Sequence, residues 1–110
     1  MKREEILAMP AGREMDALIA KSLNLFSKHP RHGDYLLTEG YNNIGYVRPF
    51  STDISAAWEV VEKLREIKPI LNYEPYPGKW YMRFNGGDFH SAETAPLAIC
   101  RAALLAVKKE

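Results

Sequence analysis

Arg101 is the residue of this chain whose surroundings most suggest chemistry. It is the only charged residue in positions 97–107, which are otherwise entirely apolar. A guanidinium in apolar surroundings is costly without a partner, since a buried charge must be compensated. Because its planar fork matches phosphate and carboxylate groups, Arg101 suggests an anion site. The alternative is that Thr94, Arg101 and Lys108, spaced seven apart, form the solvated face of a helix.

The residues just before this segment extend the anion hypothesis. Thr94 stands at the predicted start of the last helix, where free backbone N–H groups and partial positive charge attract anions. The preceding strand places Arg83 and Asn85 on one face together with Tyr81. An aromatic ring can stack a base, an amide can read its edge and arginines can hold phosphates. The alternative is a half-exposed sheet face with ordinary cross-strand pairs.

Candidates for catalysis and metal binding are few. His90 with Asp88 and Glu93 is the one cluster that could serve a small nucleotide hydrolase. His29 and His32, three apart, could face one metal ion only in a helix, and the Pro- and Gly-containing segment around them predicts a solvated basic loop instead. No phosphate-binding loop and no nucleophile-elbow motif occurs. We therefore predict that the chain is not an enzyme and has no catalytic residue, metal ligand or cofactor.

Hydrophobic periodicity and turn residues predict the elements that must position these groups. The predicted helices are Arg3–Met9, a second from Ala11, Ile54–Ile67 and Thr94–Lys108, and the predicted strands are Asp34–Thr38, Ile44–Phe50, Ile70–Glu74 and Lys79–Asn85. Residues 24–33 are predicted to form a loop. The order α-β-β-α-β-β-α, with hairpin links, predicts an α+β fold in which an antiparallel sheet is sandwiched between helices.

Two further packing predictions follow from the same patterns. Ser51, Thr52 and Asp53 are strong helix-start residues before the third helix. In that helix Ile54, Ala57, Trp58, Val61, Leu64 and Arg65 follow a single stripe. Trp58 and Trp80 are then expected at contacts between helices and sheet, and Cys100 is expected to be a buried structural thiol.

Length and composition exclude several classes of protein. The chain has 110 residues, which predicts one domain over 1–110, and its fifteen Lys and Arg against fourteen Asp and Glu give a net charge of +1. Such a charge provides little general attraction for nucleic acid polymers. One cysteine excludes an internal disulfide, and the longest apolar stretch is too short to span a bilayer. We expect a small intracellular domain whose ligand site lies between subunits, since a deep site is hard to build at this size.

Several stretches of the sequence resemble the small phage proteins of the ABA sandwich domain family. They are Arg3–Leu7 with Ala11–Ala20, Ser51–Trp58 and Ala92–Ala103. This family includes the first type of Thoeris anti-defence sponge proteins. The resemblance implies an antiparallel sheet between helices. It also implies binding of cyclic ADP-ribose isomers, and in some members of cyclic oligonucleotides, by oligomers whose ligand sites lie at subunit contacts.

The resemblance also implies roles for individual residues. Arg101 would bind phosphate, and Thr94 would lie beside the ligand at the helix start; Asn85, Phe84 and Arg83 are further candidates. The function it implies is a phage anti-defence sponge that sequesters a cyclic nucleotide immune signal without cleaving it, in the cytoplasm of the infected bacterial host. The partners would be the small-molecule signal and further copies of the chain. The alternative is a phage protein–protein interaction module that acts through its apolar C-terminal helix.

Overall fold

The computed structural model describes residues 2–107 and contains four α-helices and five strands within them. The helices are α1 (Arg3–Ala8), α2 (Arg13–Leu23), α3 (Ile54–Lys63) and α4 (Ala95–Val107), and the strands are β1 (Tyr35–Glu39), β2 (Asn42–Val47), β3 (Ile70–Glu74), β4 (Lys79–Arg83) and β5 (His90–Ala92). The predicted α+β fold with antiparallel strands is confirmed. Among the described residues, no helix has the length and apolar composition needed to cross a bilayer.

The strands form two antiparallel sheets, where the sequence suggested a single one. One sheet is the hairpin β1–β2, and the other has the order β3–β4–β5. Strand β5 was missed, although Gly86 and Gly87 mark the turn that leads into it. The β1–β2 hairpin pairs instead with the segment that follows α2. Ser27 of that segment exchanges two backbone hydrogen bonds with Tyr46 of β2, at 3.0 and 2.9 Å.

Helix α4 forms the centre of the hydrophobic core. It packs against α1, α2 and α3 and against one face of the three-stranded sheet. Its side chains at Ala98, Ile99, Cys100 and Ala103 are completely buried. The apolar composition of α4 is therefore explained by packing within its own chain, and its half-buried stripe of Leu97, Arg101 and Leu105 follows the four-residue helical spacing.

Helix α3 begins as predicted, and its buried face includes Ala57 and Val61 of the predicted stripe but not Ile54 and Trp58. The Asp53 carboxylate accepts a hydrogen bond from the Ser55 N–H at 2.8 Å, which confirms the cap. The buried residues are Ala56, Ala57, Val60 and Val61. Ile54 and Trp58, predicted to lie on the buried stripe, are about half exposed (48% and 49%). Small side chains on both helices let α3 and α4 approach closely, so the wide Trp58 remains at the margin of the contact.

Two further comparisons with the sequence predictions concern the end of α3 and the position of Trp80. The α-helix ends at Lys63, and Arg65–Ile67 form a separate 3₁₀ turn where a continuous helix to Ile67 was predicted. Trp80 packs against the core of the three-stranded sheet as expected, and its ring lies 4.9 Å from that of Tyr73.

A buried polar junction joins the start of α2 to the entry of α3. The Asp16 Oδ1 atom accepts hydrogen bonds from the Ser51 N–H at 2.7 Å and from the Ser51 hydroxyl at 2.6 Å. The Gly12 N–H donates to the same hydroxyl oxygen at 2.9 Å. Burial raises the pKa of Asp16, while its two hydrogen bonds from Ser51 act in the opposite direction.

Candidate anion site at the edge of the three-stranded sheet

The three-stranded sheet has one face on the core and one face without a helix over it. In β4, Met82 points into the core and is 1% exposed, whereas Lys79, Tyr81 and Arg83 alternate onto the opposite side. We call this opposite side the outer face. Strand register places the following neighbours on it: Ile70, Asn72 and Glu74 from β3 and Ser91 from β5.

Arg101 reaches from α4 to the β5 edge of this sheet. Its guanidinium donates one hydrogen bond to the Ser91 carbonyl and one to the Met9 carbonyl, both at 3.2 Å. Its Nε atom is buried and has no hydrogen-bond partner in the described part of the chain. No ion pair forms between Arg101 and any carboxylate of residues 2–107. The guanidinium is therefore held in place by neutral carbonyls, and its charge is not neutralised.

A cavity of about 360 Å³ lies next to this guanidinium. We call it the Arg101 cavity. Its walls include Pro10, Lys79, Ser91, Glu93 and Leu97. The volume is at the lower end of the range of about 300–1,000 Å³ that small-molecule sites occupy. Two cationic side chains, those of Lys79 and Arg101, thus share a cavity with one exposed carboxylate.

The N-terminus of α4 follows Glu93, which lines this cavity, and the helix is capped as predicted. The Thr94 hydroxyl accepts a hydrogen bond from the Leu97 N–H at 3.4 Å. The helix starts at Ala95, and Thr94 itself is exposed. The predicted stripe of Thr94, Arg101 and Lys108 can be followed only to Arg101, because Lys108 lies outside the described residues.

The remaining predicted site residues do not join Arg101 in one cavity of the single chain. Arg83 lies on the outer face with its guanidinium carbon 4.6 Å from the centre of the Phe89 ring. Phe84 faces the core and lines a different cavity of about 180 Å³. Asn85 is exposed in a left-handed conformation, with φ of 55°, and its N–H donates to the Ile67 carbonyl.

Two residues of the Arg101 cavity were missed by the sequence predictions. Lys79 lies two residues before Tyr81 and four before Arg83, so the alternation of β4 could have placed it on the same face. Ser91 could not be found in this way because β5 had not been recognised. Its contribution is a main-chain carbonyl, which carries no sequence signal.

The candidate catalytic cluster is divided between two cavities. Asp88 and His90 line the cavity of about 180 Å³, whereas Glu93 lines the Arg101 cavity. Burial lowers the pKa of His90, and the nearby charge of Arg3 lowers it further, against an opposing effect of Asp88. Within residues 2–107, no three His, Cys, Asp or Glu side chains lie close enough to hold a metal ion.

The single thiol is enclosed by the core. Cys100 is completely buried, and burial raises the pKa of its thiol. A thiol held in its protonated form and out of solvent is a poor nucleophile. The expected structural role of Cys100 is therefore confirmed.

The basic loop is solvated as predicted, since residues 28–33 are exposed, and a few contacts attach it to the rest of the fold. The Arg31 N–H donates to Asp34 at 3.0 Å, and the Arg31 guanidinium contacts Glu59 of α3 at 3.3 Å. Leu25 and Phe26 pack against the core. The loop is thus anchored to α3 and to the core, and none of its residues lines the Arg101 cavity.

Comparison with known proteins identifies the family. The sequence model of the phage ABA sandwich domain matches residues 17–104, which is most of the chain. The chain belongs to the phage ABA sandwich domain family. The part of this phage ABA sandwich protein that matches includes both sheets, α3 and Arg101 and excludes α1. Searches of the curated proteins and of the solved structures gave no match.

Proposed function

We propose that this phage ABA sandwich protein binds and sequesters a cyclic nucleotide immune signal, a cyclic ADP-ribose isomer or a cyclic oligonucleotide, without cleaving it. The observation that carries the proposal is the guanidinium of Arg101, which borders a cavity and has no carboxylate partner in the described chain. A phosphate would supply the missing negative charge. The resemblance described above implies the same ligand class.

The chemistry of the Arg101 cavity supports a phosphate in particular. Arg101 uses two of its five N–H donors on carbonyls, so further donors remain for oxygen acceptors. Lys79 adds a second positive charge from β4. A phosphate with several acceptor oxygens can use both side chains at once, and charge-assisted hydrogen bonds of this kind are the strong ones.

The distribution of the candidate residues supports a site shared between copies of the chain. Arg101, Phe84 and Asn85 lie in three separate places of the single chain. A second copy packed against the Arg101 cavity would bring further residues to a bound ligand and enclose it. Homo-oligomer formation is therefore part of the proposal, as is action in the cytoplasm of the infected host.

Binding without turnover is supported by the arrangement of the titratable groups. Hydrolysis of a nucleotide needs a positioned base together with a nucleophile or metal. His90, the candidate base, lies in the cavity of about 180 Å³, while the phosphate would lie with Arg101. The interaction module predicted to act through the C-terminal helix has less support, because α4 is largely buried in its own core.

Calorimetric titration tests the proposal. Wild-type protein is titrated with cyclic ADP-ribose isomers and with cyclic di- and trinucleotides, and at least one is expected to bind. Lys79→Gln and Arg101→Gln are each expected to weaken that binding by about tenfold to a hundredfold, the value of a charged hydrogen bond. Arg65→Gln is the matched control, since Arg65 is an exposed arginine of the 3₁₀ turn outside the Arg101 cavity.

Lys79→Gln separates binding from folding. Arg101 also holds the Met9 and Ser91 carbonyls, whereas the side chain of Lys79 makes no hydrogen bond or ion pair within residues 2–107, so its replacement should leave the unfolding midpoint unchanged. Mass spectrometry of ligand released by denaturation should recover it intact. Absence of binding by every nucleotide at tens of micromolar, or recovery of a cleaved product, would refute the proposal.

A further inference from the structure

Tyr81 lies between two cavities that open on the sheet. On its β5 side is Ser91, which lines the Arg101 cavity. On its β3 side is a cavity of about 300 Å³, lined by Asn72, Glu74, Tyr81 and Phe89. We call it the Glu74 cavity. Tyr81 lines the Glu74 cavity, and its cross-strand partner Ser91 lines the cationic Arg101 cavity, so the two cavities are reached from neighbouring strands.

The carboxylate of the Glu74 cavity retains acceptor capacity. One of its oxygens accepts a hydrogen bond from the Asn72 side-chain amide at 2.9 Å. Lys79 is the direct cross-strand partner of Glu74, yet no ion pair forms between them in the described structure. Lys79 lines the Arg101 cavity instead. The second carboxylate oxygen is therefore free to accept hydrogen bonds from a ligand.

The aromatic side chains define what kind of ligand would use that acceptor. Tyr81 and Phe89 offer ring surfaces on which a planar heterocycle can stack. Two aromatic rings with a carboxylate could also suit an organic cation. The Arg83 guanidinium, 4.6 Å from the centre of the Phe89 ring, already places a positive charge there and disfavours a second one. A neutral planar ring with N–H donors on its edge fits the charges better.

A single ligand that used both cavities would have to span the width of β4. Neighbouring strands lie about 4.8 Å apart, so β5 and β3 are separated by roughly 10 Å across Tyr81. A phosphate beside Lys79 and Arg101 would then leave an attached base above Tyr81, with its edge directed toward β3. Guanine carries two adjacent donors on that edge, a ring N–H and an amino group, whereas adenine presents an amino group beside an unprotonated ring nitrogen that a carboxylate repels.

We propose that the Glu74 cavity is a guanine-binding subsite in which Tyr81 stacks the base and Glu74 selects guanine over adenine. This proposal rests on the proposed function, because the phosphate of the same ligand occupies the Arg101 cavity. It adds a ligand preference that the Arg101 cavity, which recognises only phosphate, does not provide. Glu74 is the specificity-determining residue, and its role is independent of the charge of Arg101.

Titration with two cyclic dinucleotides that differ only in the base tests this subsite. Wild-type protein is expected to bind cyclic di-GMP at least about tenfold more tightly than cyclic di-AMP, as a charge-assisted hydrogen bond to the base provides. Glu74→Gln should remove most of this preference by weakening cyclic di-GMP alone. Glu66→Gln, which changes an exposed carboxylate of the 3₁₀ turn, should leave both affinities unchanged.

The outcomes separate the subsite from the proposed function. Equal affinities for the two dinucleotides, or a guanine preference that survives Glu74→Gln, would overturn the subsite and leave the proposed function standing. Binding of cyclic ADP-ribose isomers without binding of cyclic di-GMP would do the same. Absence of binding by any of these nucleotides would overturn both. Unfolding curves of Glu74→Gln should coincide with wild type, because Glu74 is exposed.

Discussion

The charged side chains around the two sheets of this molecule differ in whether they form ion pairs. Around the β1–β2 hairpin the charges are paired: Arg48 contacts Glu59 at 2.5 Å and Asp34 at 3.4 Å, and Lys21 contacts Glu39 at 2.8 Å. All four ion pairs found within residues 2–107 belong to this side. Around the three-stranded sheet, by contrast, Lys79 and Arg101 form none.

The difference indicates which charges serve the fold and which are available to a ligand. The Asp34 side chain is completely buried and that of Arg48 is 14% exposed, so each charge is compensated by the other. Arg101 is half-buried, but its partners are two neutral carbonyls and a cavity lies beside it. Stability alone gives little reason to keep a positive charge there, since a buried ion is costly without an opposite charge.

The largest expected loss of stability follows from replacing an ion-paired residue near the β1–β2 hairpin. Arg48→Met leaves the buried Asp34 without its cation and should lower the free energy of unfolding by about 3–5 kcal/mol. Arg101→Met removes only hydrogen bonds to the Met9 and Ser91 carbonyls and should cost about 1–3 kcal/mol. Urea denaturation of both variants measures the contrast. Similar losses would mean that the two arginines have similar structural roles.

The buried junction between α2 and α3 should give the next largest effect. Asp16→Ala removes the acceptor for both Ser51 donors and should destabilise the fold by about 1–3 kcal/mol. Asp16→Asn keeps an acceptor oxygen and removes the charge that burial disfavours. Thermal unfolding in parallel with wild type measures both variants. A loss for Asp16→Asn as large as that for Asp16→Ala at neutral pH would contradict this account.

The raised pKa of Asp16 also fixes the sign of a pH dependence. The folded protein retains this proton to higher pH than the unfolded chain, so the contribution of Asp16 to stability falls as pH rises from the ordinary value of 3.8 through the raised pKa. Asp16→Asn lacks this loss. Its stability relative to wild type should therefore improve as pH rises above the ordinary pKa of 3.8. A constant difference as pH rises would show that the pKa is not raised.

The smallest expected effect on stability follows from replacing Lys79, which forms no ion pair, in the three-stranded sheet. Lys79→Gln should change the free energy of unfolding by less than about 0.5 kcal/mol, as is usual for a side chain that makes no specific contact. The same variant is expected to lose most of its nucleotide affinity. Chemical denaturation and calorimetry on one preparation test both statements. A marked loss of stability would place Lys79 with the structural charges and weaken the distinction between the two sheets.

Much of the fold could be predicted because local rules and tertiary packing agree. The helix-start residues before α3, the Thr94 cap of α4 and the β3–β4 hairpin all follow from sequence patterns. Strand β5 was not predicted, because its sequence carries no local pattern that indicates a strand. Strand β5 has only three residues, too few to show alternation.

The buried face of α3 shows a second limit. The predicted stripe contained both Ala57 and Trp58, yet the buried face has Ala56 beside Ala57, and Trp58 is half exposed. The reason is steric, because close approach of α3 to α4 depends on small side chains, and the sequence does not state which helices will meet. Phe84 and Arg101 are also separated by packing: Phe84 shares a cavity with Ala102, Leu105 and Ala106 of α4, whereas Arg101 lines another cavity, and the sequence does not state how α4 lies on the sheet.

The sequence by itself determined that this chain is a mixed α+β protein with a capped apolar last helix, a single arginine in that helix and a period-2 strand before it. It did so because capping, helical spacing and strand alternation are local properties of neighbouring residues. Only the tertiary structure decided that Arg101 meets neutral carbonyls, that Lys79 joins it across the β5 edge and that the charges of the other sheet are paired. Partners of a charge lie far apart along the chain, and their distance is fixed only when the core has formed.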